Sequence, residues 1–288
     1  MTYVSKTNLR FANRFVPKPQ AEAEKVVIHL KTDDEIAVMK QAGLIVYNTH
    51  MVLRDMIRPG ISTGELDRVA EEVLGDHGAV PVFKNYPKKD SPNFPASITV
   101  SINEELVHGV PSPNRVLKEG DIVSIDCGCT YNGYVGDSAY TWAVGEVSPA
   151  VKRLLDVTQG ALMEAIKAAV LPNETKDVAA ATARYVNRYG YDVAREYTGH
   201  GVGKTMHEDP QVPNWWPSNA KKKGFLSHPL QPGMTFAIEP MVIAGRPDLQ
   251  ELSDKWTVVT KDKSLCAHFE HTIAVTEGEP IILTLPEN

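Results

Sequence analysis

From Thr32 onward the apolar residues return at the three-and-four spacing of a helix, with Ile36, Met39, Gly43, Leu44, Tyr47 and Met51 on one face. Thr32-Asp33-Asp34-Glu35 opens that helix as a capping box, in which the Thr hydroxyl and the Glu carboxylate each take a backbone N–H that the first turn leaves over. Pro59-Gly60 closes it, and Ser62-Thr63-Gly64-Glu65 caps a second helix carrying Leu66, Val69, Ala70, Val73 and Leu74, ended by Gly75 to Gly78. Extended segments then run to about residue 144. After Ser148-Pro149, with proline at the favoured first helical position, a third helix passes through Leu154, Leu155, Leu162 and Ile166 to Pro172. A fourth, KDVAAATARYVNRYG, ends at Gly190, and extended segments fill the remainder.

The order helix, helix, strands thus occurs twice, and the two passes share a register. LKEGDIVSIDCG from Leu117 and LQPGMTFAIEPM from Leu230 align without a gap at an offset of 113, which sets Asp126 on Glu239 and carries Pro59 onto Pro172. So long a period predicts two fused αβ lobes, because solenoid repeats are only ~20–50 residues long. A carboxylate at the same place in each lobe then faces its counterpart across a pseudo-two-fold axis. The expected organisation is an N-terminal extension over residues 1–30, a surface strap or disordered arm, and one main domain over 31–288 with halves of about 31–145 and 146–288.

At 288 residues the chain can bury a large core, and its formal charge of −6, with Lys and Arg spread along it, argues against a basic face for nucleic acid. Three cysteines are too few for a disulfide framework; Cys127, Cys129 and Cys266 fit a reducing cytoplasm as buried thiols. No apolar stretch has the length of a signal peptide or a membrane span.

The chemistry starts in DIVSIDCGCTYNGYVGDSAY, where two extended runs flank Asn132-Gly133, the pair that favours a two-residue type I′ hairpin. That turn pairs Tyr131 with Tyr134, Gly128 with Asp137 and Asp126 with Ala139, so Asp126 and Asp137 share a face as diagonal neighbours, roughly 5–8 Å apart. Two buried carboxylates so close repel and lose hydration unless something positive lies between them. The hairpin holds no Lys or Arg, and Gly128 opposite Asp137 leaves space, so a metal cation is a natural candidate; two polar positions on a solvated face are the alternative. The second lobe adds Glu239 and, in CAHFEHTIAVT, Glu270, while His200 stands between Gly199 and Gly201 where backbone can approach closely. Four carboxylates and one imidazole suit Mn, Fe, Co or Zn, and are enough for two ions. GHGVGKT is not a phosphate loop, since the first glycine of that motif falls on Thr198.

With STGELDR (62–68), SINEELVHGVP (101–111), GDIVSID (120–126), REYTGHGVG (195–203), HEDPQV (207–212), LQPGMTFAIEPM (230–241), WTVVTKDKSL (256–265) and FEHTIAVT (269–276), the chain resembles the type I methionine aminopeptidases from about Lys31 to its end. The resemblance implies an α+β pita-bread fold: a two-lobed antiparallel β-sheet core covered by two helix pairs. It implies that Asp126, Asp137, His200, Glu239 and Glu270 bind two divalent cations (Co, Mn, Fe or Zn), with Asp137 and Glu270 bridging. Activated water would attack the first peptide bond, Glu239 would shuttle the proton, His207 would steady the oxyanion and His108 would bond the peptide nitrogen. The methionine pocket would fall on Thr99, Met206 and Trp256, with Phe94 and Tyr86. Implied substrates are N-terminal Met peptides and nascent chains at the ribosome, handled by a cytoplasmic monomer with no specific nucleic acid and no membrane partner.

The chain departs from that family pattern at His268, where many bacterial members carry Gln, and at VPNWWPSNAKKKGFLSHP (212–229), which is longer and richer in Trp and Pro. YPKKDSPNFPAS (86–97) is also extended, and the N-terminal arm lacks the cysteine-rich zinc modules of eukaryotic relatives. Prolidases share the fold but carry a large extra N-terminal domain, for which only about 30 residues are present here.

Overall fold

The structure, a computed structural model, describes residues 26–287. Most of the extension expected over residues 1–30 therefore lies outside the described residues; from Val26 on, the chain runs beside the main sheet, where Ile28 makes a parallel bridge to Asp209. In chain order the elements are α1 (Asp33–Met56), α2 (Thr63–Asp76), β1 (Val80–Pro81), β2 (Ile98–Ile102), β3 (Glu105–Val107), β4 (Ile122–Tyr131), β5 (Tyr134–Ala143), α3 (Pro149–Lys167), α4 (Thr175–Arg188), β6 (Asp192–Val193), β7 (Thr198–Gly201), β8 (Glu208–Pro213), β9 (Thr235–Ile238), β10 (Met241–Ile243), β11 (Leu249–Glu251), β12 (Val258–Thr260), β13 (Cys266–His268), β14 (Glu270–Ala274) and β15 (Ile281–Ile282).

The helix starts sit where the caps put them. Thr32 closes a full capping box with Glu35, Ser62 and Ser148 each accept from the N–H three residues on, and Pro149 occupies the first turn of α3. α4 starts one residue before the expected Lys176 and is capped by Glu174, whose carboxylate and that of Asp177 form the reciprocal pair. The 113-residue offset also holds in three dimensions: Ile122 begins β4 and Thr235 begins β9, while Pro59 and Pro172 both stand between paired helices.

Nine strands form the main sheet in the order β1-β4-β5-β14-β9-β7-β8, with β2 added on β4 and β15 on β14; β13-β10-β6 and β11-β12-β3 form two smaller sheets. One apolar core lies between α1, α2 and the β2-β4 face, built from Val46, Leu53, Leu66, Leu74, Ile98 and Ile125. A second joins α3 and α4 to β9 and β14 through Leu162, Ile166, Val178, Phe236 and Ile273. α1 lies close on β5, because Gly136 lacks a side chain: a Cβ there would stand 2.5 Å from the Ala42 carbonyl carbon. All three cysteines are free and buried. The long segment 212–229 begins at the end of β8 and holds a 3-10 turn, Ala220–Lys223, with Trp215 and Trp216 edge-on to Phe225. No helix among the described residues is long and apolar enough to cross a membrane.

Candidate metal centre

Pairing in the β4-β5 hairpin follows the type I′ expectation residue for residue. Asn132 and Gly133 take φ of 48° and 83°, Tyr131 faces Tyr134, Gly128 faces Asp137, and Asp126 faces Ala139. β14 then adds to the other edge of β5 with Glu270 opposite the same Ala139. Asp126, Ala139 and Glu270 therefore stand in one row across three strands, with a methyl group between two acids, and Asp137 lies diagonal to the row two residues along β5. Thr99 extends the row on β2. Glu239 comes just after β9, where Pro240, which has no N–H to donate, ends the ladder and frees the acid from the strand register.

His200 sits on β7 at a register shift, with Gly199 pressed against the Ala237 carbonyl and Gly201 against that of Asp209, where no side chain would fit. A Cβ at Gly128 would lie 2.8 Å from Val82 Cγ2 and 3.2 Å from Asp137 Oδ1, so the missing side chain makes room for both the valine methyl and that carboxylate.

Ligand atoms of Asp137, His200 and Glu270 all lie within 4.8 Å of one another. His200 Nε2 stands 3.6 Å from Asp137 Oδ2 and 3.5 Å from Glu239 Oε1. Its Nδ1 is 3.0 Å from the Gly201 carbonyl, which can only accept; Nδ1 therefore carries the hydrogen and Nε2 presents its lone pair to the acids. Burial lowers this imidazole to about 4, keeping it neutral and able to bind a metal. Asp137 is 1 % exposed, and burial pushes its carboxyl up to about 7. Asp126 and Glu270 are pushed well above the ordinary range, by burial first and then by the charge of Asp137, with Glu239 and Asp126 adding to the pressure on Glu270.

Four buried atoms in this group have no hydrogen-bond partner: Asp126 Oδ1, Asp137 Oδ1, His200 Nε2 and Glu270 Oε1. Orphaned lone pairs converging in a buried site are costly in a protein alone and natural around a divalent cation. The donor set fits such an ion, four carboxylates with one neutral imidazole.

The remaining expected residues surround this cluster. His207 lies tilted beside His200 at 4.4 Å between ring centroids, and its Nδ1 is 2.8 Å from the Tyr86 hydroxyl. His108 is buried at φ 60°, and desolvation lowers it to about 3. Phe94 and Trp256 meet edge to face at 5.1 Å, and both belong with Met206 and Tyr86 to one apolar cluster. His268, noted in the sequence as a departure but given no role, is part of the site: its Nε2 lies 3.9 Å from Glu239 Oε2 and 3.7 Å from Glu270 Oε2. Its signal was its position two residues before Glu270, on the same side of an extended chain.

Comparison with known proteins agrees with this chemistry. The model of metallopeptidase family M24 matches residues 37–277. The methionine aminopeptidase of Clostridium acetobutylicum is 46 % identical over 261 residues, covering 91 % of this chain and 100 % of the relative. Methionine aminopeptidase 1 of Bacillus subtilis is 48 % identical over 258 residues, covering 90 % of this chain and 99 % of the relative. Among solved structures, the methionine aminopeptidase of Thermotoga maritima superposes with a TM-score of 0.84 at 40 % identity, covering 90 % of this chain and 100 % of that one. Since the matched span runs through every acid of the buried row and through His200, this chain belongs to metallopeptidase family M24.

Proposed function

We propose that this chain is a methionyl aminopeptidase that removes the N-terminal methionine from peptides and nascent proteins, with two divalent cations held by Asp126, Asp137, His200, Glu239 and Glu270. The observation that carries the reading is the set of buried, partnerless carboxylate and imidazole atoms, in a chain that spans the whole length of methionine aminopeptidases. When bound, the cations (Co, Mn, Fe or Zn) would polarise the scissile carbonyl and make water nucleophilic at neutral pH.

The protein's own groups do the rest. Glu239, held beside His200 and His268 and free of the ladder, takes the proton of the attacking water and passes it to the leaving amine. Burial pushes the Tyr86 hydroxyl up to about 12, so it stays protonated and donates to His207 Nδ1. His207, kept neutral by burial, then has its hydrogen on Nε2 and offers it to the oxyanion as charge develops. His108, also neutral, bonds the peptide nitrogen. Phe94, Met206 and Trp256, with Thr99 at the strand row, form a polarizable apolar wall for the methionine side chain. Free buried cysteines support a reducing cytoplasm. The site draws all of these residues from one chain, so it needs no second copy to be complete.

The test uses chelated protein and the peptide Met-Ala-Ser. Adding Mn²⁺ or Co²⁺ restores release of methionine, an Ala-Pro dipeptide is left intact, and His200→Ala loses about a thousandfold or more in kcat/KM while its far-UV circular dichroism is unchanged. Metal-independent release, preferred cleavage before proline, or near-normal turnover by the variant would each overturn the reading.

A further inference from the structure

Just before the first cap, Lys31 makes an enclosed ion pair with Glu208. Its Nζ lies 2.6 Å from Glu208 Oε2, with the two side chains 6 % and 10 % exposed. A pair so deep loses most of its hydration and persists only where geometry and added hydrogen bonds compensate. Those bonds are present. Lys31 Nζ also donates to the His29 carbonyl at 2.9 Å, and the Lys31 backbone N–H donates to Gly233 at 2.7 Å. The other oxygen of Glu208, Oε1, accepts the Thr205 N–H at 3.3 Å.

One carboxylate therefore does two things. Oε1 closes a turn from Thr205 to Glu208, and Oε2 ties that turn to the segment leading into α1. The two residues enclosed by the turn are Met206 and His207. Gly203 packs directly on the pair: a Cβ there would lie 2.6 Å from Lys31 Cε and would also strike the Glu208 carboxylate. Beyond the turn, Ile28 bridges to Asp209.

We propose that Lys31, acting through Glu208, is a positioning residue that latches the β7-β8 loop and so sets His207 against the reacting carbonyl and Met206 against the methionine side chain. The roles of those two residues rest on the function proposed above; the latch itself rests on the contacts. A displacement of about 1 Å in a group that meets charge only in the transition state is worth up to ~100-fold in rate, so the latch governs kcat more than metal binding.

The test compares Lys31→Met, Glu208→Gln and the double variant K31M/E208Q. The double variant contains no unpaired buried charge and keeps an acceptor for the Thr205 N–H, so it separates positioning from mere destabilisation. In the metal-loaded protein, amide exchange at Thr205 to His207 quickens about tenfold in the single Lys31→Met and in the double variant, while β4 and β5 amides are unchanged. With Met-Ala-Ser, kcat of the folded double variant drops about 10- to 100-fold. Mn²⁺ affinity measured by calorimetry stays within about twofold, because no ligand atom has been touched. A double variant with wild-type exchange and wild-type kcat overturns the latch, as does a loss of kcat matched by an equal loss of Mn²⁺ affinity. If wild-type protein releases no methionine, the proposed function is what has failed, and the exchange measurement still decides the latch.

Discussion

Asp137 shows how a single side chain stores the demand for a cation. With burial raising it from 3.8 to about 7, and with Asp126 and Glu270 raised by burial and by its charge, the native metal-free protein holds protons that its unfolded chain would release. A raised acid contributes stability that is fully present below its unfolded value and is lost as pH climbs through the folded one, so the metal-free form weakens between about pH 4 and pH 7. A cation entering the site must displace those same protons. Mn²⁺ affinity, followed by calorimetry, should accordingly fall by about tenfold per pH unit for each proton displaced once pH drops below about 7, and a flat affinity from pH 8 to pH 5.5 would contradict the coupled cluster. Asp126 and Asp137 were legible as a pair from residue type and strand period, Glu239 through the 113-residue offset, and the full ligand set only through the family resemblance. The partnership of Tyr86 with His207 was not, because 121 residues separate them and nothing local to either ring fixes the other. His268 carried a local signal, but its depth between two acids depends on the chain leaving β13 for β14 at Phe269, which no alternation pattern records.

Among the elements, the β4-β5 hairpin was the most readable, since Asn132-Gly133 selects the turn and the turn fixes all ten pairs. The helix starts were equally plain, because Thr32, Ser62 and Ser148 are good caps. The small sheets were not: β3, β6, β10, β11, β12 and β13 are two or three residues long, too short for any alternation to rise above chance. What the sequence also hid was the fit of α1 on β5. Gly136 lies under Ala42, and a methyl group there would meet backbone, which cannot swing away as a side chain can. Gly136→Ala should therefore cost about 1–3 kcal/mol in urea unfolding by overpacking. Because Asp137 is the next residue, the same variant should also weaken Mn²⁺ binding. A stability within about 0.5 kcal/mol of wild type would show that the helix can lift off without penalty.

Across the whole molecule the two lobes meet along a seam that runs between β5 and β14 in the main sheet and between β3 and β12 in a smaller one. β5 and β14 share only two register pairs, Ala139 with Glu270 and Ser138 with His271, against ten within the β4-β5 hairpin. The candidate ligands divide across that seam, Asp126 and Asp137 on one side and His200, Glu239 and Glu270 on the other, which is the arrangement the 113-residue offset implies once Asp126 is set on Glu239. Without a cation, acids from both halves stand this close only by holding protons; with one, the same acids could ionise and draw the seam together. A metal ion is then a clasp between halves as well as a reagent. At 100 times its dissociation constant a single ion adds about 2.7 kcal/mol to the folded state, which for a chain of this size raises Tm by about 5 °C. The gain should be spatially uneven. Amides of Ser138 and His271 should slow in exchange far more on Mn²⁺ addition than those in the interior of the β4-β5 ladder, whose bonds lie within one half. Equal slowing along both ladders would mean that the ion stabilises the protein only as any ligand does, and that the seam is held by its apolar cores without it.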